Sequence, residues 1–241
     1  MTQIVAVCNQ KGGVGRTTGH LTEGVGLQDV YLNATRTLYD SLIGTEDGKL
    51  ATLLEKHPTE PFSVIPSSYA LMLAEQKLYM TRNREHKLKG LLSQLENQFG
   101  WILSDCPPVL GNLTDNVLNA TRQVIIPIQA EATSVRVLDL LFDQIESVER
   151  GLNIQIRILA QDSAMAKRIL TKLKGSVPML TPFEIRKRVM LQVAWSAGCS
   201  IFAYPVLSKT DEHTKQEIMA LYRELAKLVM EWAAEGGTHH G

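Results

Sequence analysis

Apolar residues along this chain fall into short runs separated by longer stretches of helical spacing. Strand-length runs rich in Val and Ile lie at 3–8, 62–66, 101–105, 123–129 and 154–160, with a weaker one at 199–204. Between them Ala70–Leu78, Glu85–Gln98, Val135–Arg150, Met165–Leu173 and Glu212–Trp232 place apolar side chains every three or four positions, which predicts amphipathic helices. Strands alternating with helices predict an α/β fold with a doubly wound, mostly parallel sheet. Ligands of such a sheet sit at the C-terminal ends of its strands. Residues 1–235 read as a single domain and 236–241 as a flexible tail.

The first strand runs straight into a glycine-rich segment, Gln10-Lys11-Gly12-Gly13-Val14-Gly15-Arg16-Thr17-Thr18. Glycines there let backbone N–H groups turn inward around phosphate oxygens, and a following helix adds its N-terminal amides. Thr17 stands where a hydroxyl ligates a nucleotide-bound Mg²⁺. The common pattern G-x-x-x-x-G-K-[ST] has glycine where Gln10 stands and lysine where Arg16 stands. A plain glycine-rich turn is the competing reading, and a match of this length directly after a strand argues against it. A second acidic element fits the first. The strand Trp101-Ile102-Leu103-Ser104 ends in Asp105 ahead of Cys106-Pro107-Pro108, so a carboxylate lands beside the loop and can hold Mg²⁺ through water.

Composition narrows the partners. Basic and acidic residues balance at 25 each, so no global field draws the chain to nucleic acid. Any DNA contact must come from a local patch, of which Ile185-Arg186-Lys187-Arg188-Val189 is the sharpest. A solvated helix start is the competing reading of that cluster. Arg82–Lys89 carries an acid and reads as a solvent face. The three cysteines, Cys8, Cys106 and Cys199, share no metal-ligand spacing and read as small core residues of a reducing, cytoplasmic compartment. The last helix mixes Glu217, Glu224 and Glu231 with Arg223 and Lys227, which is not the basic amphipathic helix of a membrane anchor.

The K-G-G-V-G-(K)-T-T spelling around Lys11 resembles the deviant Walker A loop of the ParA/MinD family of ATPases. Trp101–Pro108 resembles that family's Walker B strand. Thr37–Asp40, Val64–Ser68, Leu110–Ala120, Val124–Glu131 and Glu217–Ala226 are similar to further ParA-type segments in the same order. The resemblance implies a P-loop NTPase sheet, ATP and Mg²⁺ as cofactors, and a nucleotide-dependent homodimer. It also implies non-specific DNA as ligand, a ParB-like stimulating partner, and DNA or chromosome partitioning as function, with nucleoid association where DNA binding is retained. By the same resemblance, Lys11, Gly12, Gly13, Val14, Gly15, Arg16, Thr17 and Thr18 would cradle nucleotide, Lys11 also acting in catalysis across the dimer. Thr17 and Asp105 would manage Mg²⁺, and Arg186, Lys187 and Arg188 would touch DNA phosphates.

Three departures surround that ligand. Arg16 replaces a compact point charge by a longer planar fork, a swap that weakens phosphate positioning and turnover more than charge alone suggests. Residues 19–35 must supply both a helix and a strand, which ordinarily take about eleven and about five residues. Gly19, Gly24 and Gly26 each weaken a helix there by about 1 kcal/mol relative to alanine. A shortened or lost second strand follows, and with it the aspartate turn that orients the attacking water; Asp29, four residues before Asn33, is its candidate remnant. The stretch after Ala160 passes at once into Gln161–Ala166, a predicted helix start, where the family has a base-facing loop. These departures open a second reading, a catalytically inactive pseudo-ATPase serving as a protein-interaction module.

Overall fold

The computed structural model describes residues 2–8, 20–33, 36–44, 49–68, 70–106, 110–127, 134–161, 178–181, 188–206 and 208–236. Among the described residues five parallel strands form the central sheet: β1 (Gln3–Cys8), β4 (Trp101–Cys106), β5 (Gln123–Ile126), β6 (Arg157–Gln161) and β7 (Pro178–Thr181), in the order β4-β1-β5-β6-β7. A separate antiparallel hairpin pairs β2 (Glu55–Lys56) with β3 (Ser63–Val64). The helices are α1 (His20–Gly24), α2 (Gln28–Asn33), α3 (Leu38–Ile43), α4 (Leu71–Tyr79), α5 (Lys87–Leu92), α6 (Asn112–Thr121), α7 (Ser134–Leu152), α8 (Val189–Ser196) and α9 (Lys209–Gly236). Among the described residues no helix is long and apolar enough to cross a membrane.

Strand alternation divides the core between the two faces of the sheet. Ala6, Cys8, Val124, Ile126, Ile158 and Ala160 face one large cluster with α3 to α7. Val5 and Leu159 face the other way and meet Trp232 and Ala233 of α9. Arg157 fixes that second layer: its guanidinium donates to the Trp232 carbonyl at 2.7 Å and lies 5.0 Å from the indole centroid. Helices on both faces make the sheet doubly wound, as the alternating pattern predicts.

The differences from the sequence reading are local. The 62–66 run forms β3 of the small hairpin, not a strand of the main sheet. The weak 199–204 run is a turn, and the fifth strand is β7, which its short Pro-Met-Leu-Thr segment did not advertise. In place of a shortened second strand stand two short helices, α1 and α2, and among the described residues β4 is an outer strand of the sheet. The predicted helix at 165–173 lies outside the described residues.

Polar ties hold α6 in the first layer. The Glu75 carboxylate caps its N-terminus, accepting from the Leu113 N–H at 3.0 Å and from the Asn112 N–H at 2.5 Å. A Cβ at Gly111 would lie 2.4 Å from that carboxylate, so the glycine lets the cap close. Buried Asn116 accepts from the Leu88 N–H at 3.0 Å, and Asn119 donates to the Glu85 carbonyl at 2.8 Å. These asparagines satisfy backbone groups that would otherwise be buried without partners. Glu75→Ala is expected to lower the unfolding free energy by about 1–2 kcal/mol, and Glu75→Gln by less, in urea titrations followed by circular dichroism.

Candidate functional site

The β1–β4 register is continuous over six pairs, from Gln3 opposite Trp101 to Cys8 opposite Cys106. It sets Val7 beside Asp105, so the carboxylate stands exposed at the C-terminal end of β4, next to the point where β1 leads into residue 9. That is where a parallel sheet binds its ligand. The loop residues Lys11, Gly12, Gly13, Val14, Gly15, Arg16, Thr17 and Thr18 lie outside the described residues, as do Arg186 and Lys187. Arg188 is exposed at the N-cap of α8. Asp29 is exposed in the first turn of α2, where its carbonyl accepts from the Asn33 side chain at 2.9 Å. Asp29 thus stands in a helical turn and not at a strand end.

The segment after the loop is helical because of what packs against it. Gly24 faces the Trp195 indole, and a Cβ there would lie 1.9 Å from the ring. Gly26, at φ +79°, meets Gly198, at φ +68°; a Cβ on Gly26 would come 2.4 Å from the Gly198 carbonyl oxygen. These glycines, which look like helix-weakening residues in the sequence, permit a close approach of α1 to α8. His57 adds a clamp from the hairpin side. Its Nδ1 accepts from the Glu60 N–H at 2.9 Å, which leaves Nε2 to donate to the Val25 carbonyl at 2.9 Å. Glu60 closes the circle by accepting from the Ser200 N–H at 3.0 Å and from the Ser200 hydroxyl.

That junction walls off a pocket of about 930 Å³ along the outer side of β4, lined by Trp101 to Asp105, Leu21, Val25, Leu42, Phe62 and Leu113 among others. Leu103, on a strand whose sequence reads as interior, is 64% exposed. Neither the pocket nor His57, Glu60 and Ser200 was legible beforehand, because each depends on the fate of residues 20–33. Buried Cys8 and Cys106 also meet, their sulfurs 2.7 Å apart, closer than a thiol hydrogen bond. That contact, with burial, pushes the Cys106 thiol well above its usual range.

A parallel sheet whose β1 leads into a glycine-rich sequence and whose neighbouring β4 carries Asp105 at its end has the organisation of a P-loop NTPase. A family model described as an AAA domain matches residues 19–158. The chain is 31% identical to the chromosome partitioning protein ParA of Myxococcus xanthus, with 93% of this chain and 88% of that protein covered. It therefore belongs to the ParA family of P-loop ATPases. That alignment spans 260 positions, more than the 241 residues of this chain, so the relative carries segments with no counterpart here. Two solved structures are similar. A putative plasmid partition protein from Borrelia burgdorferi bound to AMPPNP superimposes with a TM-score of 0.63 at 19% identity, covering 93% of this chain and 99% of that one. A cobyrinic acid a,c-diamide synthase from Mycobacterium smegmatis with bound ADP and magnesium does so at 0.54 and 27%, covering 71% and 81%.

Two measurements check the junction. Gly26→Ala meets both positive φ and a backbone oxygen, whereas Gly44→Ala meets positive φ at 71° with nothing within 4 Å. The Gly44 variant should lose about 1 kcal/mol and the Gly26 variant clearly more, by denaturant midpoint. Burial alone raises the Glu60 carboxyl, but the two hydrogen bonds from Ser200, with His57 alongside, outweigh it and bring the group below its ordinary value of 4.5. Its contribution to stability is therefore present above that value and lost as pH falls through the lowered one. Glu60→Gln should flatten this acid limb in a pH series of thermal midpoints.

Proposed function

We propose that this chain is a partitioning-type nucleotide switch that binds ATP with Mg²⁺ and turns it over poorly. The observation that carries the reading is the β1–β4 register, which brings Asp105 beside the strand that enters the Lys11–Thr18 segment. An exposed carboxylate at a strand end suits water-mediated Mg²⁺, with the Thr17 hydroxyl as second ligand. Bound Mg²⁺ would neutralise phosphate charge. Lys11 would contact phosphate, in the nucleotide-bound dimer across the interface, while Gly12, Gly13, Val14, Gly15 and Thr18 would supply backbone donors. Arg16 keeps a positive charge near that anion in a longer, planar form. Arg186, Lys187 and Arg188 would hold DNA phosphates without reading sequence, and a ParB-like partner would trigger release. The setting is cytoplasmic, on the nucleoid when DNA is bound.

A second reading, an interaction module without turnover, is favoured by a specific observation. Residues 20–33 are helical where a strand and its aspartate turn would orient water. Arg16→Lys separates the two. Calorimetric titration with ATP and Mg²⁺ should show binding by the natural chain and about tenfold tighter binding by the variant, the scale of one charge-assisted hydrogen bond. Absence of heat at millimolar ATP in both proteins rejects the binding proposal. DNA- or partner-stimulated hydrolysis by the natural chain rejects the module reading.

A further inference from the structure

We propose that Cys8 and Cys106 are a dithiol pair that peroxide closes to a cross-strand disulfide at the paired C-terminal ends of β1 and β4. The two residues are register partners at the C-terminal ends of adjacent parallel strands. Neighbouring strands lie about 4.8 Å apart, inside the Cα separation of about 4.4–6.8 Å that a disulfide spans. The thiols face the same side of the sheet, are 2% and 6% exposed, and already touch at 2.7 Å. Closing the bond needs a side-chain adjustment and no backbone journey. Cys199 lies elsewhere, its sulfur against the Ala194 carbonyl at 3.7 Å, and serves as an internal control.

The chemistry balances with hydrogen peroxide as oxidant. The first step is slow, because burial limits access and holds the Cys106 thiol protonated: one sulfur, once ionised, attacks a peroxide oxygen, becoming a sulfenic acid and releasing water once protons are counted. The second sulfur then attacks the sulfenic sulfur, the S–S bond forms, and the hydroxyl leaves as a second water. Two thiols lose two electrons and two protons in total, and one peroxide becomes two waters. A thiol already in contact makes that condensation faster than further oxidation to sulfinic acid. Burial excludes bulky reagents, so the oxidant is small.

The location gives the bond a consequence, and this part rests on the nucleotide-binding proposal. Cys8 is the last residue of β1 before the loop segment, and Cys106 follows Asp105 directly. Linking them fixes the relative position of the two strand ends that would hold phosphate and Mg²⁺.

The test treats the whole native chain with hydrogen peroxide, then alkylates it under denaturing conditions and weighs it. The expected result is one alkylated cysteine instead of three, a Cys8–Cys106 linked peptide, and full restoration by dithiothreitol. The link should persist in Cys199→Ser and vanish in Cys106→Ala. Three alkylated cysteines, sulfinic or sulfonic additions without a link, or a link to Cys199 would each overturn the proposal. ATP affinity of the oxidised protein should fall by about threefold or more and recover on reduction, since small displacements at a phosphate site are costly. A link without an affinity change overturns the regulatory consequence and leaves the disulfide standing. A link in a protein that binds ATP in neither state places the failure on the nucleotide reading and removes the consequence with it.

Discussion

The rest of the molecule depends on the pairing of β1 with β4. Six consecutive residues of each strand align without a bulge, and the next neighbour of β1 is β5. Because the strands are parallel and in register, their C-terminal ends finish together, and side chains of equal rank face the same layer. Ala6 and Cys8 enter the large core under α3 to α7, while Val5 turns toward Trp232 on α9. A slip of one residue would exchange these sets and move Asp105 away from the exit of β1. Register therefore fixes the core and the candidate site in one step.

The segment following the loop shows a different constraint. A strand beside β4 would satisfy the outer edge of the sheet and cover Leu103. In this chain 20–33 is held as two short helices by contacts from two directions: Trp195 and Gly198 through glycine approaches, and His57, itself tied to Glu60, through the Val25 carbonyl. None of these ties is strong alone, a neutral hydrogen bond contributing about 1 kcal/mol net. They converge on one short stretch, and helices shorter than about 12 residues need tertiary support. The result is an outer strand with an apolar pocket along it, where a parallel sheet ordinarily has buried neighbours on both sides.

Much of the fold was legible because it rests on periodicity. β1 matches its predicted bounds, and α4, α7 and α9 lie within a few residues of theirs. The Asp105 position was legible too, since a strand followed by an acid and two prolines has few geometries. What stayed hidden depended on partners distant in sequence. Gly24 and Gly26 carry the same local message in any helix, and only Trp195 and Gly198 reveal that their missing side chains make room. The β3 run has a strand's composition, but which sheet it joins is decided by β2, a two-residue strand with no apolar pattern. Cys8 and Cys106 read as isolated small core residues until the register placed them together.

These constraints bear differently on holding a nucleotide and on transforming it. Holding phosphate needs convergent donors and positive charge, which on the proposed reading glycine amides, Lys11 and Arg16 would supply in kind even where one fork is longer than usual. Turnover needs, in addition, a water placed in line and charge met where it develops, and that requirement tolerates little displacement. Asp29 lies in an exposed helical turn and not at a strand end, which on the proposed reading would touch the second demand and leave the first alone. On the proposed reading, then, the sequence departures fall unevenly across the reaction. A switch that keeps the strand ends, and with them the ligand, while losing the means to discharge it would rest in its bound state until something displaced those ends, and a bond between Cys8 and Cys106, the last residues of the paired strands, is a means of displacing them.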